Sequence, residues 1–319
     1  MNVVFIGTPE FAVPCLRSLV TSTHNVITVI TQPDRPKGRS KTPCPSPVKE
    51  VAASIGLKIM QPANINDAES VEDIKRLLPD CIVVVAFGQF LSNAIISLPR
   101  YQCINIHASL LPKFRGAAPI NWAIIKGETV TGVTAMLIAA KMDAGDIIAK
   151  KATSISPEEN AEELERRLSV MGADLLTETL NSVEAGKATY TKQDENEVSF
   201  APKIKKEHGL ISWSKEKLHV HNCIRGMTPS PGAYTYYRQN ASDEKKRIVV
   251  LKTQIHDTSK TKPPFAPGTI FETAPCGIHV ATLDGYVCIT RLQQEGKREM
   301  DAQEYLRGHK ITAHDMFTA

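Results

Sequence analysis

The sequence has few aromatic residues, no long apolar run and no large excess of one charge. Aromatic side chains make up 6% of the 319 residues, and the formal net charge is +4. No apolar run reaches the roughly 20 residues that a membrane-spanning helix needs. The strand-like run at residues 1–7 has no basic segment before it, unlike a secretory signal. We expect a soluble, cytoplasmic protein, and the length suggests two domains.

The cysteines form no familiar disulfide or metal-binding pattern. There are seven, they are dispersed, and none belongs to a Cys-x-x-Cys pair: Cys15, Cys44, Cys81, Cys103, Cys223, Cys276 and Cys288. Zinc motifs have regular Cys and His spacings that this sequence lacks. Most of the cysteines lie in apolar segments, where the thiol behaves as a small hydrophobic group. The pattern predicts reduced thiols and no metal.

Strand-like and helix-like runs alternate over the first half of the chain. Strands are predicted at 3–7, 26–31, 58–60, 82–86 and 104–107, with helical segments between them that include 11–21, 48–55 and 68–78. The alternation predicts an α/β fold with a Rossmann-like wound, mostly parallel sheet. The first βα turn has one glycine, Gly7, where a dinucleotide-binding fingerprint has three, so NAD binding is not expected.

The later part of the chain changes to short β-type runs. Two further strands are predicted at 131–137 and 146–154, and then a helix from Pro157 toward Gly186, whose first residues suit a helix N-terminus. Runs at 233–237, 248–253, 268–271, 278–282 and 286–291 predict a small antiparallel barrel. We therefore predict a catalytic domain at 1–188, a polar linker at 189–208 and a second domain at 209–319.

Basic residues concentrate in the second domain. Residues 201–319 contain 18 Lys and Arg against 12 Asp and Glu, whereas residues 1–200 contain 20 against 22. A cationic domain of this kind suits a phosphate backbone, although an ordinary solvated surface is the alternative. A loop at 32–47 also places Arg35, Lys37, Arg39 and Lys41 among prolines. This loop is either an RNA contact or a simple surface loop.

Asn105 and His107 lie two residues apart at the end of a predicted strand. Their side chains should share one face of the strand, at the carboxyl edge where open α/β sheets bind ligands. Asp143 offers a carboxylate that can orient the imidazole. Together these groups predict acyl-type transfer through an oxyanion. Taken singly, each also has a structural explanation, as a hydrogen-bonded histidine or as a turn residue.

The same residues resemble the signature of the 10-formyltetrahydrofolate-dependent formyltransferases. The likeness is carried by Asn105, His107 and the runs at 109–112, 115–119 and 143–146. Residues 5–12, 31–39, 224–226 and 229–233 further resemble the branch of that family that acts on initiator methionyl-tRNA. The resemblance spans nearly the whole chain.

The resemblance implies transfer of a formyl group from 10-formyltetrahydrofolate to the α-amine of methionine on initiator tRNA. Asn105 and a protonated His107 would stabilise the oxyanion, while Asp143 would favour the imidazolium and relay a proton. The folate site would be lined by Ser109, Leu110, Leu111 and Pro112, with backbone contacts added by Phe87, Gly88 and Gln89. Arg35, Lys37, Arg39 and Lys41 would contact the tRNA acceptor stem, and the C-terminal domain would be an OB-like barrel. We expect a monomer and no metal.

The sequence departs from the family pattern in one loop, and three other interpretations of its function compete with methionyl-tRNA formylation. Relatives commonly have an acid near Ala139 and a glycine just before the residue that matches Met142, where this chain has Lys141. A glycinamide ribonucleotide formyltransferase would need only the first domain, and an amino-sugar formyltransferase is disfavoured by the basic loop. A non-catalytic RNA-binding module is disfavoured by the intact Asn105, His107 and Asp143.

Overall fold

The computed structural model describes residues 1–36, 42–238, 245–255, 264–309, 311–312 and 315–319. The chain forms two compact units that interleave along the sequence. Unit 1 contains Met1–Pro119, Val130–Ser154 and Glu165–Ala201, and unit 2 contains Ile120–Thr129, Ile155–Leu164 and Pro202–Ala319. The segment expected to be a linker, 189–208, is divided between the units after Ala201. The boundaries at 188 and 208 stay a prediction about the functional domains.

Unit 1 is built on a seven-stranded sheet. The strands in this part of the chain are β1 (Asn2–Gly7), β2 (Asn25–Ile30), β3 (Arg35–Pro36), β4 (Pro43–Cys44), β5 (Ile59–Met60), β6 (Cys81–Val85), β7 (Cys103–His107), β8 (Val130–Leu137) and β9 (Ile147–Ser154). The sheet order is β5-β2-β1-β6-β7-β8-β9, and β3 pairs separately with β4. Along this order, the five strands β5, β2, β1, β6 and β7 are parallel to one another. Strand β8 pairs antiparallel with β7, and β9 pairs antiparallel with β8. The predicted mostly parallel α/β sheet is confirmed.

The helices in this part of the chain begin at recognisable caps. They are α1 (Val13–Thr21), α2 (Pro47–Ser54), α3 (Ala68–Arg76), α4 (Asn93–Ile96), α5 (Pro119–Ile125) and α6 (Ala161–Glu184). Ser46 caps α2 and Asp67 caps α3, because each side chain accepts a hydrogen bond from a backbone N–H of the first turn.

The start of α6 was predicted four residues too early, near Pro157. Asn160 Oδ1 accepts from Glu163 N at 3.0 Å, and Glu163 Oε2 accepts from Asn160 N at 2.9 Å. This reciprocal capping box fixes the helix start at Ala161.

Unit 2 is an antiparallel, barrel-like sheet with helices, and α5 belongs to it from Ile120 onward. Its elements are α7 (Lys217–Met227), β10 (Ala233–Arg238), β11 (Lys245–Gln254), β12 (Ile270–Ala274), β13 (Gly277–Ala281), β14 (Tyr286–Gln294), β15 (Glu299–Asp301), α8 (Ala302–Gly308) and β16 (Met316–Thr318). The strand order is β12-β13-β14-β11-β10-β16, with β15 on β14. A bridge between Thr269 and Met316 joins the two ends of this order. The closure confirms the predicted OB-like second domain.

The early segments of unit 2 are bonded to its later ones. Arg225 on α7 is 8% exposed, and its Nη1 donates to the carbonyl oxygens of Ser156 and Glu159 at 3.0 and 2.8 Å. Asn121 Nδ2 donates to Gly226 O at 2.8 Å.

In the described part of the chain, no helix has the length and apolar content that crossing a membrane requires.

Candidate active site

Asn105 and His107 lie on β7, next to the point where the sheet changes from parallel to antiparallel pairing. Asn105 is opposite Val84 on β6 and Met136 on β8. Residues two apart on a strand project to the same face, so the two side chains share one side of the sheet. Asn105 is half-buried, and its amide has no hydrogen-bond partner among the residues that the structure describes. That amide is available to an incoming group.

His107 is buried, with 7% of its surface exposed, and each ring nitrogen has a different neighbour. Nε2 lies 2.9 Å from the carbonyl oxygen of Phe114. A carbonyl oxygen only accepts, so Nε2 carries hydrogen and donates it. Nδ1 lies 3.9 Å from Oδ2 of Asp143. Nδ1 is therefore the ring nitrogen that faces the carboxylate.

Asp143 is held beside His107 by contacts to its backbone and side chain. Its Oδ2 accepts a hydrogen bond from Gly116 N at 2.8 Å, and its backbone has a left-handed φ of 49°. Gln193 Nε2 donates to the carbonyl oxygens of Asp143 and Gly145, at 2.9 and 2.8 Å. The loop thus brings the carboxylate to the histidine on the same side of the sheet, as the sequence predicts.

Arg115 is the buried centre of a network that sequence reasoning did not identify. It is 1% exposed, and its Nε and Nη2 donate to Gln193 Oε1 at 3.0 and 2.9 Å. Nη2 also donates to Glu195 at 2.8 Å, and Lys141 binds the other oxygen of that carboxylate at 2.6 Å. The hydrogen bonds from Arg115 and then Lys141 lower the pKa of Glu195 to about 2. Gln193 connects this charge network to the Asp143 loop.

Backbone bonds attach the Arg115 segment to residues 199–201. Arg115 N donates to Ser199 O at 2.9 Å, and Ala201 N donates to Arg115 O at 2.7 Å. Phe114, whose carbonyl holds His107, donates its N–H to Ser199 Oγ at 2.9 Å. Part of the polar stretch expected to be a linker therefore braces the candidate site. Its composition alone carried no signal of this role.

Gly145 is required by the path of the Asp143 loop. A Cβ added there would lie 1.8 Å from the carbonyl oxygen of Leu137. The loop returns close to the end of β8, where Leu137 N donates to Asp146 O at 2.9 Å. Only glycine allows this approach without a shift of the backbone.

Gly145→Ala is therefore expected to lower both the melting temperature and kcat. Relieving the overlap with Leu137 must move the loop that carries Asp143, and overpacking of this kind costs about 1–3 kcal/mol. Thermal unfolding and initial reaction rates check the result. Gly308→Ala is the control, because a Cβ at Gly308 would meet no atom within 4 Å. Unchanged values for both measurements in Gly145→Ala would contradict the expectation.

Residues 109–112 follow β7, and three of the four are buried. Ser109 is fully buried, its hydroxyl donates to Lys113 O at 2.6 Å, and its carbonyl accepts from Thr134 Oγ1 at 2.6 Å. Leu111 packs with Met136 and Ile147, and Pro112 is also buried. Leu110 is half-buried. Leu110 is therefore the side chain of this run that remains accessible to a ligand, while the other three support it.

Residues 87–89 follow β6, and the Phe87 carbonyl accepts a hydrogen bond from Thr8 Oγ1 at 3.1 Å. Phe87 packs its side chain into the apolar core with Val84 and Ile95. The Gln89 amide is bonded to Ile65 N at 3.0 Å and to Ala63 O at 3.3 Å. Gly88 is exposed and has a φ of +89°. The predicted contribution of this segment to a folate site stays a prediction.

The candidate RNA loop is described only at its two ends. Arg35 is exposed and donates to Gln32 Oε1 at 3.2 Å, whereas Lys37, Arg39 and Lys41 lie outside the described residues. Asp34 is bound by Lys49 Nζ at 2.7 Å and by Gln61 Nε2 at 2.7 Å. The hydrogen bond from Lys49 is the main cause that lowers the pKa of Asp34. The N-terminal end of the loop is thus held by bonds to Lys49 and Gln61.

Comparison with known proteins gives matches in both parts of the chain. The family model described as formyl transferase matches residues 1–180, and the model described as formyl transferase, C-terminal domain, matches residues 203–310. Methionyl-tRNA formyltransferase of Geotalea daltonii is 46% identical over 98% of this chain and 96% of its own length. The methionyl-tRNA formyltransferase of Ruminiclostridium cellulolyticum is 42% identical over 98% and 97%.

Solved structures show the same fold at lower identity. An N-formyltransferase from Helicobacter canadensis, in complex with folinic acid and dTDP-3-aminofucose, has a TM-score of 0.65 at 18% identity, over 92% of this chain and 99% of that one. HypX from Aquifex aeolicus, in complex with tetrahydrofolic acid, has a TM-score of 0.60 at 17% identity, over 96% of this chain and 47% of that one. At such identities the likeness concerns the fold alone.

Proposed function

The chain belongs to the formyl transferase family, and we propose that it formylates the α-amine of methionine on initiator methionyl-tRNA. It is an enzyme of one-carbon transfer, its donor is 10-formyltetrahydrofolate, and its product is the N-formylmethionyl-tRNA used in translation initiation. The observation that carries this function is identity of 46% over nearly the full length of relatives with that activity in their name.

The two-part architecture separates this function from its rivals. A glycinamide ribonucleotide formyltransferase would use the first part alone, but the C-terminal family model matches residues 203–310. Amino-sugar formyltransferases share the fold at 18% identity, far below the 46% of the methionyl-tRNA enzymes. Formylation assays with one folate donor can compare three acceptors, which are initiator methionyl-tRNA, glycinamide ribonucleotide and an amino-sugar nucleotide. Product from methionyl-tRNA alone is expected, and product only from an amino sugar would overturn the proposal.

Asn105 and His107 would stabilise the oxyanion of the reaction. The amine attacks the formyl carbon, a C–N bond forms, the bond to N10 of the folate breaks, and negative charge develops on the formyl oxygen. The Asn105 amide has no partner among the described residues, so it can donate to that oxygen. Because Nε2 of His107 is bonded to Phe114 O, its second donor would be Nδ1–H. A well-placed donor of this kind contributes about 3 kcal/mol in the transition state.

Asp143 would carry the proton that the amine loses. Its carboxylate faces Nδ1 of His107 at 3.9 Å, which is longer than a hydrogen bond and leaves room for a bridging group. The bond from Gly116 N holds Oδ2 in place without neutralising its charge. Asp143 can therefore accept a proton from the attacking amine and pass it, directly or through water, to the departing N10.

The folate would lie against residues 109–112 and 87–89. Leu110 offers accessible apolar surface, and Ser109, Leu111 and Pro112 form its buried support. Gly88 has no Cβ to hold a ligand away from the backbone, and a Cβ there would meet no atom within 4 Å. Phe87 and Gln89 would contribute backbone groups, because their side chains are already engaged.

We further propose that the basic loop and unit 2 contact the phosphate backbone of the tRNA. Arg35 is exposed at the base of the loop that also carries Lys37, Arg39 and Lys41 in the sequence. In unit 2, Lys245, Lys246 and Lys252 on β11 are exposed and have no ion pair within the described ranges. Unpaired cations are free to replace counterions at phosphates. We also propose that the protein is cytoplasmic and that it is a monomer. Sedimentation of the pure chain tests the monomeric state.

Arg39→Ala is expected to weaken tRNA binding and leave folate binding unchanged. Each lost phosphate contact should reduce the slope of log affinity against log salt by about 0.7 to 0.9. Binding of initiator tRNA over a salt series gives this slope, and fluorescence titration gives folate affinity. A variant with Lys245, Lys246 and Lys252 changed to alanine tests unit 2 in the same way.

The control for these variants is Arg76→Ala. Arg76 is an exposed cation on α3, paired with Glu72 and Asp73 on its own helix, so it should have no phosphate partner. Its salt slope should equal that of the unaltered chain. If Arg39→Ala also keeps the unaltered slope, the loop does not contact the RNA backbone.

A further inference from the structure

Three soft metal-ligand atoms lie together in unit 2, on residues that the proposed formyl transfer does not use. They are Sγ of Cys276, Nε2 of His279 and Sγ of Cys288, all within 4.8 Å of one another. Cys276 Sγ lies 3.6 Å from His279 Nε2 and 3.8 Å from Cys288 Sγ. Two thiols and an imidazole are the ligand types that Zn²⁺ prefers.

The strand pairing of the barrel brings these residues together. Cys276 lies in the turn between β12 and β13, while His279 on β13 is directly opposite Cys288 on β14. Opposite residues of an antiparallel pair project to the same face. Gly277, with a φ of +151°, allows the turn to approach, because a Cβ there would lie 2.9 Å from Cys288 Sγ.

Two of the three separations match those of a tetrahedral metal site, and the third pair, Cys288 Sγ and the His279 ring nitrogen, lies within 4.8 Å. With Zn–S bonds of about 2.3 Å and Zn–N bonds of about 2.0 to 2.1 Å, tetrahedral angles place two sulfurs about 3.8 Å apart. The same geometry places sulfur and nitrogen about 3.6 Å apart. The observed values are 3.8 and 3.6 Å. A disulfide would instead need sulfurs about 2.05 Å apart.

The surroundings of His279 also suit a metal ligand. Its Nδ1 lies 3.6 Å from Oε2 of Glu272 on β12. This separation is longer than a hydrogen bond, so the carboxylate acts on the ring through its charge, which raises the basicity of Nε2. Cys288 is buried, the His279 side chain is 14% exposed, and Cys276 is exposed. The cluster is therefore open to water on one side, where a fourth ligand can bind.

We propose that Cys276, His279 and Cys288 bind one thiophilic metal ion of the Zn²⁺ class, with water as the fourth ligand. The ion would join the β12–β13 turn to β14 and stabilise that edge of the barrel, because metal binding adds to folding free energy. The sequence pattern predicts no metal, because these ligands converge only when β13 pairs with β14. The inference does not depend on the proposed function.

The test is metal binding to the reduced full-length chain. Zn²⁺ is titrated against a colorimetric chelator, and Cd²⁺ is titrated in parallel, since thiolate coordination gives a near-ultraviolet charge-transfer band. One ion per chain is expected. Cys276→Ser should abolish the band and weaken binding by more than about a hundredfold, while Glu272→Gln should weaken it by about tenfold. Zn²⁺ should also protect the exposed Cys276 from alkylation.

Two controls keep the outcome interpretable. Cys44→Ser removes a half-exposed thiol outside the cluster and should leave the band and the stoichiometry unchanged. Circular dichroism and melting without metal show whether each variant is folded, and Cys276→Ser should be, because its side chain is exposed. No Cd²⁺ band in the reduced chain, or equal bands in Cys276→Ser and the unaltered chain, would overturn the proposal. That first result would identify the short contacts as ordinary thiol hydrogen bonds.

Discussion

Replacing His107 by alanine is expected to lower kcat by about a hundredfold or more, with tRNA binding preserved. Loss of a single oxyanion donor typically costs this much. Asn105→Ala should have an effect of similar size, since its amide is the proposed second donor. Single-turnover formylation measures the chemical step, and filter binding of methionyl-tRNA measures substrate affinity.

Asp143→Asn refines the same experiment. The amide oxygen can still accept the hydrogen bond that Gly116 N donates at 2.8 Å, so the loop should keep its position while the negative charge is lost. A large fall in kcat in this variant would therefore report the charge and proton transfer. His219→Ala, an exposed histidine on α7, is the matched control and should have unaltered kinetics. Near-normal turnover in His107→Ala would end the proposed mechanism.

Gln193→Leu is expected to lower both stability and kcat. Leucine has a similar size but cannot accept the two bonds from Arg115 or donate to the carbonyls of Asp143 and Gly145. Removing the neutral acceptor of a buried charged donor costs about 1.5 to 3 kcal/mol, although Arg115 keeps its bond to Glu195. Chemical denaturation should therefore show a loss near the lower end of that range, and kcat should fall because the Asp143 loop is no longer anchored.

Glu195→Gln separates the anchoring role from the surface charge. The Glu195 side chain is 59% exposed, and an exposed ion pair contributes about 0 to 1 kcal/mol. The amide oxygen of glutamine can still accept from Arg115, so stability and kcat should change little. Equal losses in Gln193→Leu and Glu195→Gln would show that charge at the surface, and not the anchored loop, is what matters.

Much of the fold follows from local pattern. Strand β6 was predicted at 82–86 and is Cys81–Val85, and β7 was predicted at 104–107 and is Cys103–His107. Both are short apolar runs, which is the expected pattern for strands buried on both faces. The predicted start of α6 was wrong because two sequences, at 156–159 and 160–163, both resemble a helix cap. Only the second forms reciprocal side-chain bonds to the backbone.

Part of the candidate site can be predicted from local residue spacing, and part depends on contacts between residues that are far apart in the sequence. The Asn105 and His107 spacing predicts a shared face because strand geometry repeats every two residues. The bond between Arg115 and Gln193 joins residues 78 positions apart, and no local pattern marks either partner. Cys276, His279 and Cys288 likewise come together through strand register, which composition does not reveal.

The interleaving of the two units constrains how such a protein can be recombined. A fragment that begins at residue 209 would lack 120–129 and 155–164, which belong to unit 2. It would leave the buried guanidinium of Arg225 without the carbonyl oxygens of Ser156 and Glu159. A chimaera that exchanges unit 2 with that of a relative must therefore transfer three segments through several junctions. A single crossover between the two halves of the gene would join mismatched pieces, so we expect the two units to be inherited together.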